Sequence, residues 1–257
     1  MRHYLYVTMV LLLFASSACA ATMKELSGDH FLVYYEAHEK IARDVLNQSE
    51  RHYARIMRNL GYDQLEQPWL GDRRCKIKVY KDKASFQPNA QNVGWAEGMT
   101  NFAAREIYLY EDAADLFSTV LPHELAHMIF RDIVGFSENI PLWLDEGVAL
   151  SQEDHRREVF YPMAKDAFFA GTSMPFEEMS RMHSAADLDA SKAGIFYAQA
   201  SVTLNCLLDN YHEKKFVLFC AHLKEGLQVE EALKRVYGSD RIGSMKDLEE
   251  KVKKSMQ

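Results

Sequence analysis

The sequence is poor in features that define several common protein classes. It has 4 cysteines in 257 residues, too few for a fold built on a disulfide framework. It contains no internal repeat and no low-complexity tract, so nothing in it indicates a repeat array or a disordered chain. Basic residues form no block and the formal net charge is −7. This charge argues against nucleic acid or an anionic membrane surface as a partner.

A long apolar run is also missing, and the one short run lies at the N-terminus. It extends from Leu5 to Ala15 and is followed by small residues that end at Ala20. This layout predicts a secretory signal peptide over residues 1–20, and therefore an exported protein, periplasmic or secreted. The alternatives are a retained anchor, for which the run is short, and a lipoprotein anchored through Cys19. In the second case Ser16 stands where a branched apolar residue is usual, and membrane attachment depends on lipid at Cys19.

Hydrophobic periodicity divides the rest of the chain, residues 27–257, into two lobes. Strands are predicted at 30–35, 75–82 and 105–112, with an edge strand around 94–101 and a long helix between the first two. This mixed lobe ends near residue 135, and residues 136–257 show almost only helical spacing. The predicted fold class is therefore α+β. Cys206 and Cys220 lie on consecutive apolar segments, and the sequence leaves open whether they pair or stay free.

The stretch "LPHELAHMIF" (121–130) carries the clearest chemical signal. On an α-helix His123 and His127 lie one turn apart on the same face, so both imidazoles can bind one metal ion. Glu124 lies one step around the helix, within reach of a water on that metal. This is the short zinc motif of metalloproteases, in which the glutamate is the general base. The alternative is an amphipathic helix with polar surface residues.

A second stretch, "PLWLDEGVAL" (141–150), strengthens the motif. Eighteen residues separate His127 from Glu146, which would project from the next helix back toward the histidines. With this spacing the chain resembles the gluzincin metallopeptidases, and more closely the bacterial peptidase MA-like domains. The resemblance extends over "KVY", "IYL" and "YAQA" segments and covers nearly the whole predicted mature chain. It implies a zincin-like fold with the active-site cleft between the lobes, Glu146 as third ligand and one Zn²⁺ per chain.

The resemblance also suggests further residues of the site. A tyrosine often stabilises the oxyanion in this family, and Tyr197 is the candidate here, with His183 and Tyr161 as weaker substitutes. Asp145 is either a carboxylate that orients a ligand histidine or a surface residue.

The predicted substrate is a peptide or protein, cut internally. Aminopeptidases of this kind hold the free amino group with a glutamate of a Gly-x-Met-Glu-Asn strand, and in "EGMTNF" that position is Thr100. This favours an endopeptidase, although Glu97 could substitute. A non-catalytic zincin-fold binding protein of the cell envelope, or a lipoprotein, is the alternative function. No Gly-x-Ser-x-Gly motif or activated cysteine supports a different nucleophile.

Overall fold

The computed structural model describes residues 23–63, 69–89, 97–135 and 140–257. The predicted signal peptide, Cys19 and the start of the predicted edge strand lie outside these ranges. The described part forms an α+β fold, in which a five-stranded mixed sheet precedes a mostly helical remainder. The predicted fold class is confirmed.

The sheet has the strand order β1-β2-β3-β5-β4. The central strands β2, β3 and β5 run parallel, whereas β1 and β4 pair antiparallel at the two edges. Alternating burial in β2 and β3 places every second side chain in the core, as expected for strands whose two faces differ. The strands are β1 (Lys24–Ser27), β2 (Phe31–Tyr35), β3 (Cys75–Tyr80), β4 (Met99–Asn101) and β5 (Glu106–Tyr110).

Two long helices pack on this sheet and on each other. The helix α1 (Glu39–Asn59) contacts β2, and α3 (Leu121–Val134) contacts β4 and β5. The core between α1 and the sheet contains a cluster of aromatic rings from Phe31, Tyr53 and Trp69, with centroids 5.0–6.1 Å apart. Since α3 carries the histidine motif, the sheet fixes one wall of the site.

The start of α3 explains how a helix tolerates Pro122. A wide π-helical turn, Leu116–Val120, leads directly into α3, which begins at Leu121. Pro122 therefore lies in the first turn of α3, where its fixed φ fits the helix.

The second half of the described chain is helical. The central pair is α4 (Leu142–Leu150) and α7 (Ala193–Asn210), and α5 (Arg156–Ala170) and α10 (Met245–Ser255) also pack on α7. Gly147 of α4 permits this close crossing, because a Cβ there would lie 2.8 Å from the backbone oxygen of Ala200. The remaining α-helices of the described residues are α2 (Lys83–Phe86), α6 (Phe176–Met179), α8 (Glu213–Lys224) and α9 (Val229–Tyr237).

The three cysteines among the described residues form no disulfide bond. Cys75, Cys206 and Cys220 are buried and free, so the structure favours free thiols over a Cys206–Cys220 bridge. Burial raises the pKa of the Cys206 thiol, which makes it a poor nucleophile.

No helix within the described ranges is both long and apolar enough to cross a membrane.

Candidate active site

A cleft of about 740 Å³ opens where the sheet meets the helices. The edge strand β4 and the helix α3 form one side of it, and α4, α5 and the start of α7 form the other. Most of the lining is apolar, from side chains such as Met99, Phe102, Leu142 and Phe160, while a polar group lies along α3 and α4.

That polar group consists of His123, His127 and Glu146, whose ligand atoms converge on one point. The two Nε2 atoms are 3.0 Å apart. Oε2 of Glu146 lies 3.7 Å from Nε2 of His123 and 4.0 Å from Nε2 of His127. Donor atoms around a tetrahedral zinc ion stand roughly 3.3–3.6 Å apart, given bonds of about 2.0–2.2 Å. The three side chains can therefore hold one metal ion.

The outer nitrogens of both imidazoles are bound to carboxylates. Nδ1 of His123 lies 2.7 Å from Oε1 of Glu153, and Nδ1 of His127 lies 3.1 Å from Oδ1 of Asp145. An ionised carboxylate only accepts hydrogen bonds, so each Nδ1 carries a proton and donates it. In the neutral rings both Nε2 lone pairs then point at the same small volume. This arrangement suits a bound cation, because two facing lone pairs otherwise repel.

Each of these carboxylates is held in turn by an arginine. Arg131 donates from Nη2 to Asp145 at 2.8 Å, and Arg156 donates from Nε to Glu153 at 2.5 Å. Both guanidinium groups also stack on phenylalanine rings that line the cleft. The distances from the guanidinium carbon to the ring centroid are 5.5 Å for Arg131 over Phe102 and 5.1 Å for Arg156 over Phe160. Through Asp145 and Glu153, the two arginines therefore connect the apolar walls to the His-His-Glu group.

The buried charges change the proton affinities of this group. Burial alone would lower the pKa of His127, but Asp145, Glu146 and Glu124 together raise it to about 10. Burial opposes ionisation of Asp145, yet His127 and Arg131 hold its pKa below the usual range. Burial raises the pKa of Glu146. The metal-free site therefore favours retaining a proton in the volume where a cation would bind.

The structure brings two further predicted residues into the same cleft. Glu124 is 9% exposed and lies beside β4, where Oγ1 of Thr100 donates to its Oε2 at 2.6 Å. Tyr197, in the first turns of α7, lines the cleft opposite, and burial together with the charge of Glu146 raises its pKa to about 12. Its hydroxyl therefore stays protonated at neutral pH and can donate a hydrogen bond.

The weaker substitutes for Tyr197 lie elsewhere. His183 is exposed, with Nδ1 3.4 Å from the backbone oxygen of Ile140. Tyr161 lines a separate cavity together with Arg157 and Asp209. Of the three candidates named from the sequence, Tyr197 is the one that reaches the cleft.

Sequence reasoning missed Glu153, Thr100 as a partner of Glu124, and the two arginines. Glu153 lies beyond the end of α4 at Leu150, so no helical spacing in the sequence relates it to His123 or Glu146. Asp145 is not a surface residue, because its side chain is only 8% exposed, and it contacts His127 and can orient that imidazole.

The mixed sheet, the helical remainder and this His-His-Glu group together define a zincin-like domain of the metallopeptidase type. A family model described as the peptidase MA superfamily matches residues 72–254, which include β3 and every helix from α2 to α9. The chain belongs to the peptidase MA superfamily. A search of curated proteins returned no match.

Proposed function

We propose that this protein is a zinc-dependent metallopeptidase that cuts peptide bonds within a chain. The observation that carries the proposal is the convergence of two imidazole Nε2 atoms and one Glu146 oxygen on a single point. Glu124 lies in the same cleft. Membership of the peptidase MA superfamily supports a peptidase in general terms.

The donor set supports zinc as the metal. Two neutral imidazoles and one carboxylate form a three-ligand set that leaves a fourth position for water or substrate, as catalytic zinc sites do. Calcium and magnesium prefer oxygen ligands throughout. A zinc ion held by His123, His127 and Glu146 would acidify the attacking water and polarise the scissile carbonyl.

The remaining chemistry falls to Glu124 and Tyr197. Glu124 accepts the proton of the attacking water as the C–O bond forms, and it delivers that proton to the amine nitrogen as the C–N bond breaks. The Tyr197 hydroxyl donates a hydrogen bond to the carbonyl oxygen as negative charge develops on it. Replacement of Tyr197 by Phe is expected to lower kcat by about 10²-fold with little change in KM. An unchanged kcat would remove Tyr197 from this role.

The cleft favours internal cleavage because its carboxylates are already engaged. Asp145 and Glu153 each bind a histidine and an arginine, and Glu124 binds Thr100. Glu97 is not among the residues that line the cleft, and its charge instead acts on Tyr110. An incoming α-ammonium group thus meets no uncommitted carboxylate among the described lining residues, apart from the metal-ligand group. Apolar walls and the β4 edge suit an extended peptide with hydrophobic side chains.

Glu124→Gln is the direct test of the mechanism. The variant should keep one zinc per chain, measured by elemental analysis, and lose hydrolysis of peptide libraries by at least about 10³-fold. Persistent hydrolysis would refute the mechanism, while zinc binding without turnover in the wild type would favour the non-catalytic binding protein.

Two simpler measurements test specificity and location. Peptides with acetylated N-termini should be cut at internal bonds as fast as free ones, and trimming restricted to free N-termini would refute the endopeptidase proposal. We also propose that the protein is exported, on the basis of residues 1–20. Mass spectrometry of the mature protein should find Ala21 at the N-terminus. A lipidated Cys19 would indicate a lipid anchor, and an intact Met1 would refute cleavage after Ala20.

A further inference from the structure

The edge strand β4 approaches α3 closely at the residue proposed as general base. Gly98, immediately before β4, and Thr100 within β4 both face Glu124. The Thr100 hydroxyl is 2.6 Å from Oε2 of Glu124 and 3.1 Å from its backbone oxygen. A Cβ at Gly98 would lie 2.8 Å from Cγ of Glu124 and 2.9 Å from Oε1.

These two contacts restrict the Glu124 side chain in different ways. Thr100 engages one carboxylate oxygen, which leaves Oε1 to handle the proton that the reaction moves. Gly98 supplies room, since any larger residue would overlap Cγ and Oε1 of Glu124 and also Val120. A free glutamate side chain samples several rotamers, and restricting it to one of them costs conformational entropy of up to about 2 kcal/mol.

The strand itself is held against α3 by a separate set of bonds. The turn after β4 reaches Arg105, which adopts a left-handed backbone conformation with φ 54°. Arg105 binds both carboxylate oxygens of Asp132 on α3, at 2.8 and 2.7 Å. Trp69 donates to the same carboxylate and its ring stacks on the Arg105 guanidinium at 5.5 Å. These contacts tie the turn between β4 and β5 to α3 and so hold β4 beside Glu124.

We propose that Gly98 and Thr100 are positioning residues, which hold the Glu124 carboxylate in its working orientation before substrate arrives. This inference rests on the proposed function, because it assigns the contacts to the proton-transfer step. It also gives Thr100 a function in this protein. In the sequence, Thr100 was notable only as the residue at the position where aminopeptidases have a glutamate. Because the bond acts on the proton acceptor, its loss should change turnover more than substrate or metal binding.

The test compares Thr100→Val, Thr100→Ser and the control Thr172→Val. Thr172 is exposed and lies after α5, outside the residues that line the cleft. A hydrogen bond to a charged group predicts a fall in kcat of about 10- to 100-fold for Thr100→Val, with KM within about threefold. Zinc content should stay at the wild-type value. Thr100→Ser should restore kcat to within about fivefold of wild type, and Thr172→Val should match wild type.

Gly98→Ala provides an independent check, since it leaves Thr100 intact and displaces the carboxylate by contact. It should also lower kcat while zinc content is retained. A wild-type kcat in Thr100→Val, or a loss that serine does not restore, would overturn the positioning role. A fall in kcat that merely follows loss of zinc would overturn it as well.

The outcome is separable from that of the proposed function. An active wild type with an inactive Glu124→Gln variant and an unaffected Thr100→Val variant refutes only the positioning role. If the wild type hydrolyses no peptide, the proposed function fails. In that case crystal structures of the zinc-loaded wild type and Thr100→Val still decide the inference. A single Glu124 conformer in the first and several in the second would support the positioning role, and one shared conformer would refute it.

Discussion

Replacement of Glu153 by Gln should weaken metal binding although Glu153 is not a ligand. Its Oε1 accepts the Nδ1 proton of His123 at 2.7 Å, and the side chain is only 2% exposed. Glutamine keeps the shape but removes the charge that makes the imidazole a stronger donor to the metal. Loss of such a partner typically lowers metal affinity by about 10- to 100-fold, which corresponds to about 1.4–2.7 kcal/mol. The deep burial of Glu153 places the expected loss in the upper half of this range, because solvent screens the charge little.

The affinity is measured by competition with a chelator of known zinc affinity. The control is Glu158→Gln, on the first turn of α5, where the side chain is 77% exposed and pairs only weakly with His155 at 3.5 Å. The control should bind zinc like the wild type, because an exposed ion pair of this kind contributes little. A Glu153→Gln variant with wild-type affinity would refute the reasoning, as would an equal loss in both variants.

Two further predictions concern the packing and the protonation of the site. Gly147→Ala should destabilise the protein and weaken zinc binding, because the new Cβ would lie 2.8 Å from the Ala200 backbone oxygen. Overpacking costs about 1–3 kcal/mol of folding free energy, against a gain in helix propensity of about 1 kcal/mol. Gly194→Ala, whose Cβ would meet only Met163 at 3.9 Å, should stabilise instead, and thermal unfolding of the two variants would expose a wrong sign. Zinc affinity should rise with pH by up to about tenfold per unit between pH 6 and 9, because the pKa of His127 is raised to about 10 in the metal-free site and binding must displace that proton. A pH-independent affinity would contradict this, and Asp145→Asn should flatten the slope.

Local patterns in the sequence were sufficient for most of the elements and for the histidine pair, whereas the strand β1 was not predicted. Aromatic and branched residues predicted the strand that became β2, alternation predicted β3 and β5, and helical spacing predicted α1 and a mostly helical second lobe. The i, i+4 rule placed His123 and His127 on one face of α3, which needs only the geometry of a helix. The resemblance supplied Glu146, and the structure brings it to the histidines as expected.

Contacts between distant segments were beyond such patterns. Nothing local marks Thr100 as a partner of Glu124, because the bond depends on how β4 lies against α3. Asp145 could not be assigned from the sequence either, since a surface aspartate and one facing His127 look the same in a helix. The role of Glu153 likewise depends on how the chain turns after α4.

The sequence by itself determined which residues can form a helix, a strand and a histidine pair, because these depend on spacings of two to four residues along one chain. The tertiary structure decided which carboxylate meets which nitrogen and which hydroxyl holds Glu124. Those pairings join segments up to 30 residues apart around the site, and their geometry follows from the packing of β4, α3, α4 and α7 against one another. The proton affinities of the site have the same origin, since burial and neighbouring charge exist only once the chain has folded.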